Sequence, residues 1–190
     1  MNEPQLVFSD AEHKYTLGGR ELPSVTQTMA KAGIVDTRWY NDEACKRGKY
    51  VHKAVHLHTQ GILDYNTLDS TIEPYFAAYL KFERQMQVTV LASEQMVYSR
   101  NYGYAGAYDL ILEIDAVRYM VDIKSGSIQR WTGIQLAAYQ DAETEFRPGS
   151  RAGLCLKKDG SYSFVPYSDP NDIHVFRSAL TINTFKHRSM

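Results

Sequence analysis

The chain has 190 residues, 44% of them hydrophobic and 23% charged, with 21 Lys and Arg against 22 Asp and Glu for a formal net charge of -1. That length suits one domain with a real core, and that composition excludes a disordered tail or a membrane protein. The even charge balance argues against a pure backbone-binding nucleic-acid module, but not against a nucleic-acid enzyme whose basic groove and acidic metal site cancel in the sum.

No apolar run approaches the roughly 18 residues of a membrane span. The opening MNEPQLVFSDAEHK lacks the basic start and apolar stretch of a signal peptide. Two cysteines, Cys45 and Cys155, cannot build a four-thiolate zinc or iron–sulfur site by themselves, and a reducing cytoplasm is the expected compartment. No repeat or Gly/Ser/Pro-rich linker divides the sequence, so a single domain over residues 1–190 is expected.

In chain order, LVFSDAEHKYTLGG predicts a short hairpin, with glycines after it. Ser24 followed by Gln27 has capping-box spacing and Gly33 stands where a helix would stop, which predicts a helix over residues 24–32. Further helices are expected over 42–59 and 71–87, the latter with Tyr75, Ala78, Tyr79 and Phe82 on one face. The texture then changes. VTVLASEQMVY, YAGAYDLILEI and VRYMVDIKS are rich in β-branched and aromatic residues and predict three consecutive antiparallel strands. WTGIQLAAYQDAETEF returns to helical spacing, RAGLCLKK and SYSFVPY close a strand pair around Lys158-Asp159-Gly160, and residues 170–186 predict a last helix. The order describes an α/β sandwich.

Strand parity carries the chemistry. Val121 and Ile123 point to one face of their strand, Asp122 and Lys124 to the other; Leu110 and Leu112 share a face with Asp109 opposite. Pairing the apolar sides on the core therefore puts both aspartates on the other face. A carboxylate in an apolar strand is costly to bury unless paired or bound to metal, and two close together repel until a divalent cation intervenes. A lysine two residues on would lie beside that cation and polarise a water. The Asp-x-Lys doublet alone is weak: acidic-x-Lys also occurs at Glu12–Lys14, and such pairs are often exposed ion pairs. Only Asp122–Lys124 ends an apolar strand, with an Asp on the neighbouring strand and Glu94 on the strand before.

Taken together, Glu94, Gly106-Ala107-Tyr108-Asp109, Asp122-Ile123-Lys124 and Gln135-Leu136-Ala137-Ala138-Tyr139 resemble the RecB-like branch of the PD-(D/E)XK nuclease superfamily, with its Gly-x-x-Asp strand, Asp/Glu-x-Lys strand and Gln-x-x-x-Tyr helix. Gly48-Lys49-Tyr50-Val51-His52 matches the branch's upstream Gly-x-x-x-His element, and Leu22-Pro23-Ser24-Val25-Thr26 resembles the opening of phage-encoded members. Exonucleases of the lambda type and of the mitochondrial genome-maintenance type are related. The resemblance implies a restriction-endonuclease-like core, α/β, with a central mixed sheet flanked by helices. It implies Mg²⁺ or Mn²⁺ held by Asp109, Asp122, His52 and the Ile123 carbonyl, and Lys124 orienting or deprotonating the attacking water. Gln135 and Tyr139 would sit near the scissile phosphate, and Glu94 would bind a second metal or support the first from behind. No iron–sulfur cluster is expected, since the cluster-bearing members place one Cys before and three after the nuclease core. Without a GxxxxGK loop or helicase motif, a stand-alone nuclease domain is expected.

Each position also has a plainer reading. His52 could bond a neighbour on a half-buried helix. His52 and His56 are four apart, as in a zinc protease helix, but Lys53 stands where that chemistry uses Glu. Gln135 and Tyr139 could be ordinary helix-face residues, and Glu94 an exposed strand residue paired with an arginine. For nucleic acid, Lys46-Arg47-Gly48-Lys49 with Lys53 forms the best basic run, equally readable as a solvated helix face. Arg130 and Trp131, in a short loop, and Trp39 with Tyr40 could stack on bases or cover core edges. The reading is therefore a Mg²⁺-dependent DNA exonuclease of phage recombination or end processing. DNA is the partner, with a phage single-strand annealing or recombination protein and an oligomer as further partners by analogy. The alternatives are a structure-specific endonuclease and a silent DNA- or protein-binding module.

Overall fold

The computed structural model describes residues 4–35 and 41–188, so Trp39 and Tyr40 lie outside the described residues. Strands β1 (Leu6–Ser9), β2 (Lys14–Leu17) and β3 (Arg20–Leu22) form a small antiparallel sheet. The expected hairpin is its first half. The third strand follows because Gly18 and Gly19, at φ 57° and 82°, make the two-residue turn that pairs Leu17 with Arg20. The Ala105 amide donates to Pro23 O at 2.9 Å, which ties this sheet to the main one.

Helix α1 (Val25–Lys31) starts on Ser24, whose side chain accepts from the Gln27 amide. Only half of the capping box forms, because the Gln27 side chain donates to His13 O instead. Helix α2 (Asp42–Thr59) is capped by Asn41 and carries Asp42 and Glu43 in its first turn, where the helix dipole favours them. Helix α3 (Glu73–Gln85) carries Pro74 in its first turn and buries Tyr75, Phe76, Tyr79 and Phe82, at about 2 kcal/mol for each large side chain removed from water.

The main sheet has the order β4 (Thr89–Ser99), β5 (Tyr104–Ile114), β6 (Val117–Lys124), β7 (Ser150–Leu156), β8 (Tyr162–Pro166). β4, β5 and β6 are the expected antiparallel meander; Asp115 and Ala116, at φ 48° and 61°, make the turn between the last two. Helix α4 (Trp131–Ala142) then crosses over to bring β7 parallel to β6, and β8 returns antiparallel. α4 is shorter than its helical spacing suggested because Glu143 turns its carboxylate onto the amides of Glu145 and Phe146. Helix α5 (Asp172–Arg188) closes the chain. The result is an α/β fold with a five-stranded mixed sheet flanked by helices.

Both faces of the sheet are covered. Leu110, Leu112, Val121, Ile123 and Leu154 pack with residues of α2 and α3, while Tyr104, Tyr108, Ile111 and Met120 pack with α1, α4 and α5. The face opposite the apolar residues of β6 is therefore buried as well, and Asp122 is only 3% exposed. In β5 the alternation breaks: Tyr104 and Tyr108 belong to one face, Leu110, Leu112 and Ile114 to the other. The switch falls at Asp109. On the adjacent strand Ser93 pairs with Leu110 and Gln95 with Tyr108, and between them Glu94 has φ 51°, a left-handed conformation rare inside a strand. The pleat turns over at the rung that carries two of the candidate carboxylates.

Candidate metal centre and nucleic-acid cleft

β5 and β6 pair from Ile114↔Val117 as far as Leu110↔Val121 and then separate, while β6 continues along β7 to Lys124↔Cys155. One rung beyond the last pair stand Asp109 and Asp122. The Asp109 side chain takes over from the lost ladder, its Oδ2 accepting from the Ile123 amide at 2.6 Å. The Ile123 carbonyl accepts from His52 Nε2 at 2.9 Å, so α2 is fastened to the same residue. The other ring nitrogen, Nδ1, lies 3.4 Å from Asp109 Oδ1 and 3.6 Å from Glu94 Oε1. Lys124 Nζ sits 2.7 Å from Asp122 Oδ2 and 5.3 Å from the Trp131 ring centre.

The electrostatics follow from this crowding. Burial would lower the His52 pKa, but the Asp109 and Glu94 carboxylates outweigh it and hold the ring protonated well above its usual range. Burial would raise Asp109, but His52, then Lys124 and the Ile123 amide, hold it below the ordinary carboxylate range. Asp122 moves the other way, raised by burial and by the Asp109 charge against the offset of Lys124.

That donor set suits a hard divalent cation. His52, Glu94 and Asp109 each place one ligand atom within 4.8 Å of the other two, an imidazole nitrogen and two carboxylate oxygens of the kind Mg²⁺ or Mn²⁺ accepts. Glu94, which the sequence leaves readable either as a metal ligand or as an exposed strand residue, stands in this group. Asp122 stands beside it, engaged by Lys124.

The site opens into a cleft of about 1060 Å³ whose wall includes His52, Glu94, Ile123, Lys124 and Trp131. Gln135 and Tyr139 do not line it. They are 8% and 4% exposed, and Gln135 Nε2 donates to Tyr139 Oη at 3.1 Å. Burial raises the Tyr139 hydroxyl further above its usual range. Gly106 explains this packing: a Cβ there would come within 2.4 Å of Tyr139 Cε1, so the motif glycine is the space the tyrosine occupies.

The basic residues divide. Lys49 and Lys53 are exposed and line the cleft, whereas Lys46 is exposed outside it. Arg47 also borders the cleft but is half-buried, donating to Ser125 O at 3.0 Å and stacking 5.1 Å from the Tyr75 ring centre, so it clamps α2 to the end of β6. Trp131, expected in a loop, is the first residue of α4 and lines the cleft, and Arg130 before it is exposed. His58 is spent on Tyr65 and Glu83, and His56 Nδ1 meets Ser93 Oγ at 2.7 Å, so neither joins His52 in a zinc-protease arrangement. Cys45 is exposed on α2, while the buried Cys155 Sγ donates to Gly126 O at 2.7 Å. The loop Ser125-Gly126-Ser127, which no motif marked, completes the floor; its only trace in the sequence is its turn-forming composition.

No family model matches this chain, and neither does any curated protein sequence. Among solved structures it is similar to an alkaline exonuclease, LHK-Exo, from Laribacter hongkongensis, at 10% identity and a TM-score of 0.39 over 87% of this chain and 92% of that one. It is similar also to SSO0001, at 10% identity and a TM-score of 0.38 over 85% of this chain and 83% of that one.

Proposed function

We propose that this protein is a Mg²⁺- or Mn²⁺-dependent DNA nuclease that hydrolyses phosphodiester bonds, acting as an exonuclease in phage recombination or DNA-end processing in the host cytoplasm. The observation that carries the reading is the grouping of His52, Glu94 and Asp109 ligand atoms within 4.8 Å of one another, with the Asp122–Lys124 pair beside them, next to a cleft that His52, Glu94 and Lys124 line. A structural ion-pair cluster would not need a groove with Lys49 and Lys53 on its wall.

In this reading Asp109, His52, Glu94, Asp122 and the Ile123 carbonyl hold the cation. A cation held there would offset charge on the phosphoryl oxygens and acidify a water. Lys124, held between Asp122 and the Trp131 face, would orient that water as an ammonium or, as the neutral amine, accept its proton. Gln135 and Tyr139 are buried and bonded to each other, and the tyrosine packs against Gly106 on the strand that carries Asp109. Lys49 and Lys53 follow the phosphate backbone.

Digestion of end-labelled single- and double-stranded DNA with Mg²⁺, Mn²⁺ or EDTA tests the reading. Nucleotide release with either ion and none with EDTA is expected. Covalently closed circular DNA should stay intact; cutting of the circle would make the enzyme an endonuclease. Intact linear DNA with both ions would sink the assignment.

A further inference from the structure

His56 lies one helical turn beyond His52 on the same wall of the cleft, and the reaction outlined above does not use it. Its hydrogen bonds determine which ring nitrogen carries the proton. The Thr59 hydroxyl donates to the His56 backbone carbonyl at 2.8 Å, because a carbonyl can only accept. Thr59 Oγ1 therefore accepts from Ser93, 2.8 Å away. Ser93 has now given up its single proton, so its oxygen accepts from His56 Nδ1 at 2.7 Å and from Gln60 Nε2 at 3.4 Å. Any other assignment sets two oxygens against each other with no proton between them. Ser93 is 1% exposed and cannot act on a substrate itself. It orients the ring, in the way that a partner on one imidazole nitrogen fixes the chemistry of the other.

We propose that His56 is a substrate-positioning residue whose Nε2 contacts the phosphate adjoining the scissile one. This rests on the nuclease reading. Four residues of helix advance about 6 Å, a step comparable to the separation of neighbouring phosphates along a strand. A strand with its scissile phosphate at the His52 centre and its path along α2 meets His56 next. Glu94 from β4, Lys124 from β6 and Arg47, Lys49, His52 and Lys53 from α2 are the charged groups that share the cleft wall with His56. With Nδ1–H committed to Ser93, Nε2 is the ring nitrogen left to meet the strand, and its contact to a phosphate oxygen is made by the doubly protonated ring, in which both nitrogens donate.

Asparagine and glutamine separate the two ring nitrogens. His56→Asn keeps an amide near Nδ1 and the bond to Ser93 but loses Nε2; His56→Gln reaches to Nε2 and gives up Ser93. Binding of a single-stranded oligonucleotide is measured by anisotropy with Ca²⁺, alongside kcat and KM with Mg²⁺. His56→Asn should melt with the wild type yet bind about tenfold or more weakly, the loss appearing in KM rather than kcat. His56→Gln should recover much of the affinity, and Ser93→Ala, which leaves the ring free to turn over, should fall between. Wild-type affinity in His56→Asn, or full loss in His56→Gln with none in His56→Asn, would overturn the proposal. A wild type that binds DNA but cuts it with neither ion would remove the nuclease reading and leave His56 to be judged on binding alone.

Discussion

Ile123 donates its amide to Asp109 Oδ2 at 2.6 Å at the point where β5 and β6 have ceased to pair. The carboxylate stands in for a missing backbone carbonyl, so the end of the ladder and the start of the site are one feature. The same residue's carbonyl is held by His52, which fastens α2 to the opening between the strands.

Lys124→Ala is expected to leave a folded, cooperatively melting protein, because the side chain projects into the cleft rather than the core. Cleavage of linear DNA should fall about 100-fold or more, the range for loss of a positioned proton-transfer group. Unchanged cleavage by a folded variant would remove Lys124 from the mechanism.

Mn²⁺ should stabilise the wild type by about 2.7 kcal/mol at a hundred times its dissociation constant. Asp109→Asn keeps the acceptor for the Ile123 amide but removes one charge of the donor set, and should lose most of that gain. Thermal melting with and without Mn²⁺ reads the difference; equal shifts in both proteins would place the ion elsewhere.

Gly106→Ala should destabilise the fold by about 1–3 kcal/mol through overpacking. The added methyl meets Tyr139 and then Val25 Cγ2 at 3.3 Å, and the tyrosine is buried and tied to Gln135, so it cannot swing aside. For a chain of this size that is roughly 2–4 °C of melting temperature per kcal/mol. A wild-type melting curve would show that the tyrosine relocates at no cost.

Lys49 and Lys53 should behave unlike Arg47. Replacing both lysines with Ala should weaken DNA binding and reduce the slope of log affinity against log salt by nearly two, or about 0.7–0.9 per phosphate contact. Arg47→Ala should chiefly lower the melting temperature, since it loses the Ser125 carbonyl and the Tyr75 ring. Titrations at several salt concentrations and thermal denaturation separate the two; a salt slope unmoved by the double lysine change would take α2 off the DNA path.

The elements of this fold and the residues of its candidate acidic site were legible along the chain because they are local. The helix cap at Ser24 and the strand-forming texture of residues 104–114 are decided by neighbouring residues, and so is the placing of Asp109, Asp122 and Lys124 on adjacent strands of one meander. What depended on distant parts of the chain had to wait for tertiary structure. Strict alternation places Asp109 simply opposite Leu110, yet the pleat turns over there, driven by the left-handed Glu94 on the next strand and by helices covering both faces of the sheet. Arg47 reads as a phosphate ligand until Ser125, 78 residues away, is seen to hold it. Gln135 and Tyr139 read as cleft residues until Gly106 is seen to admit the tyrosine ring into the core. Periodicity reports which way a side chain would point on an ideal element, whereas the contacts that redirect it are made by residues the chain brings together only on folding.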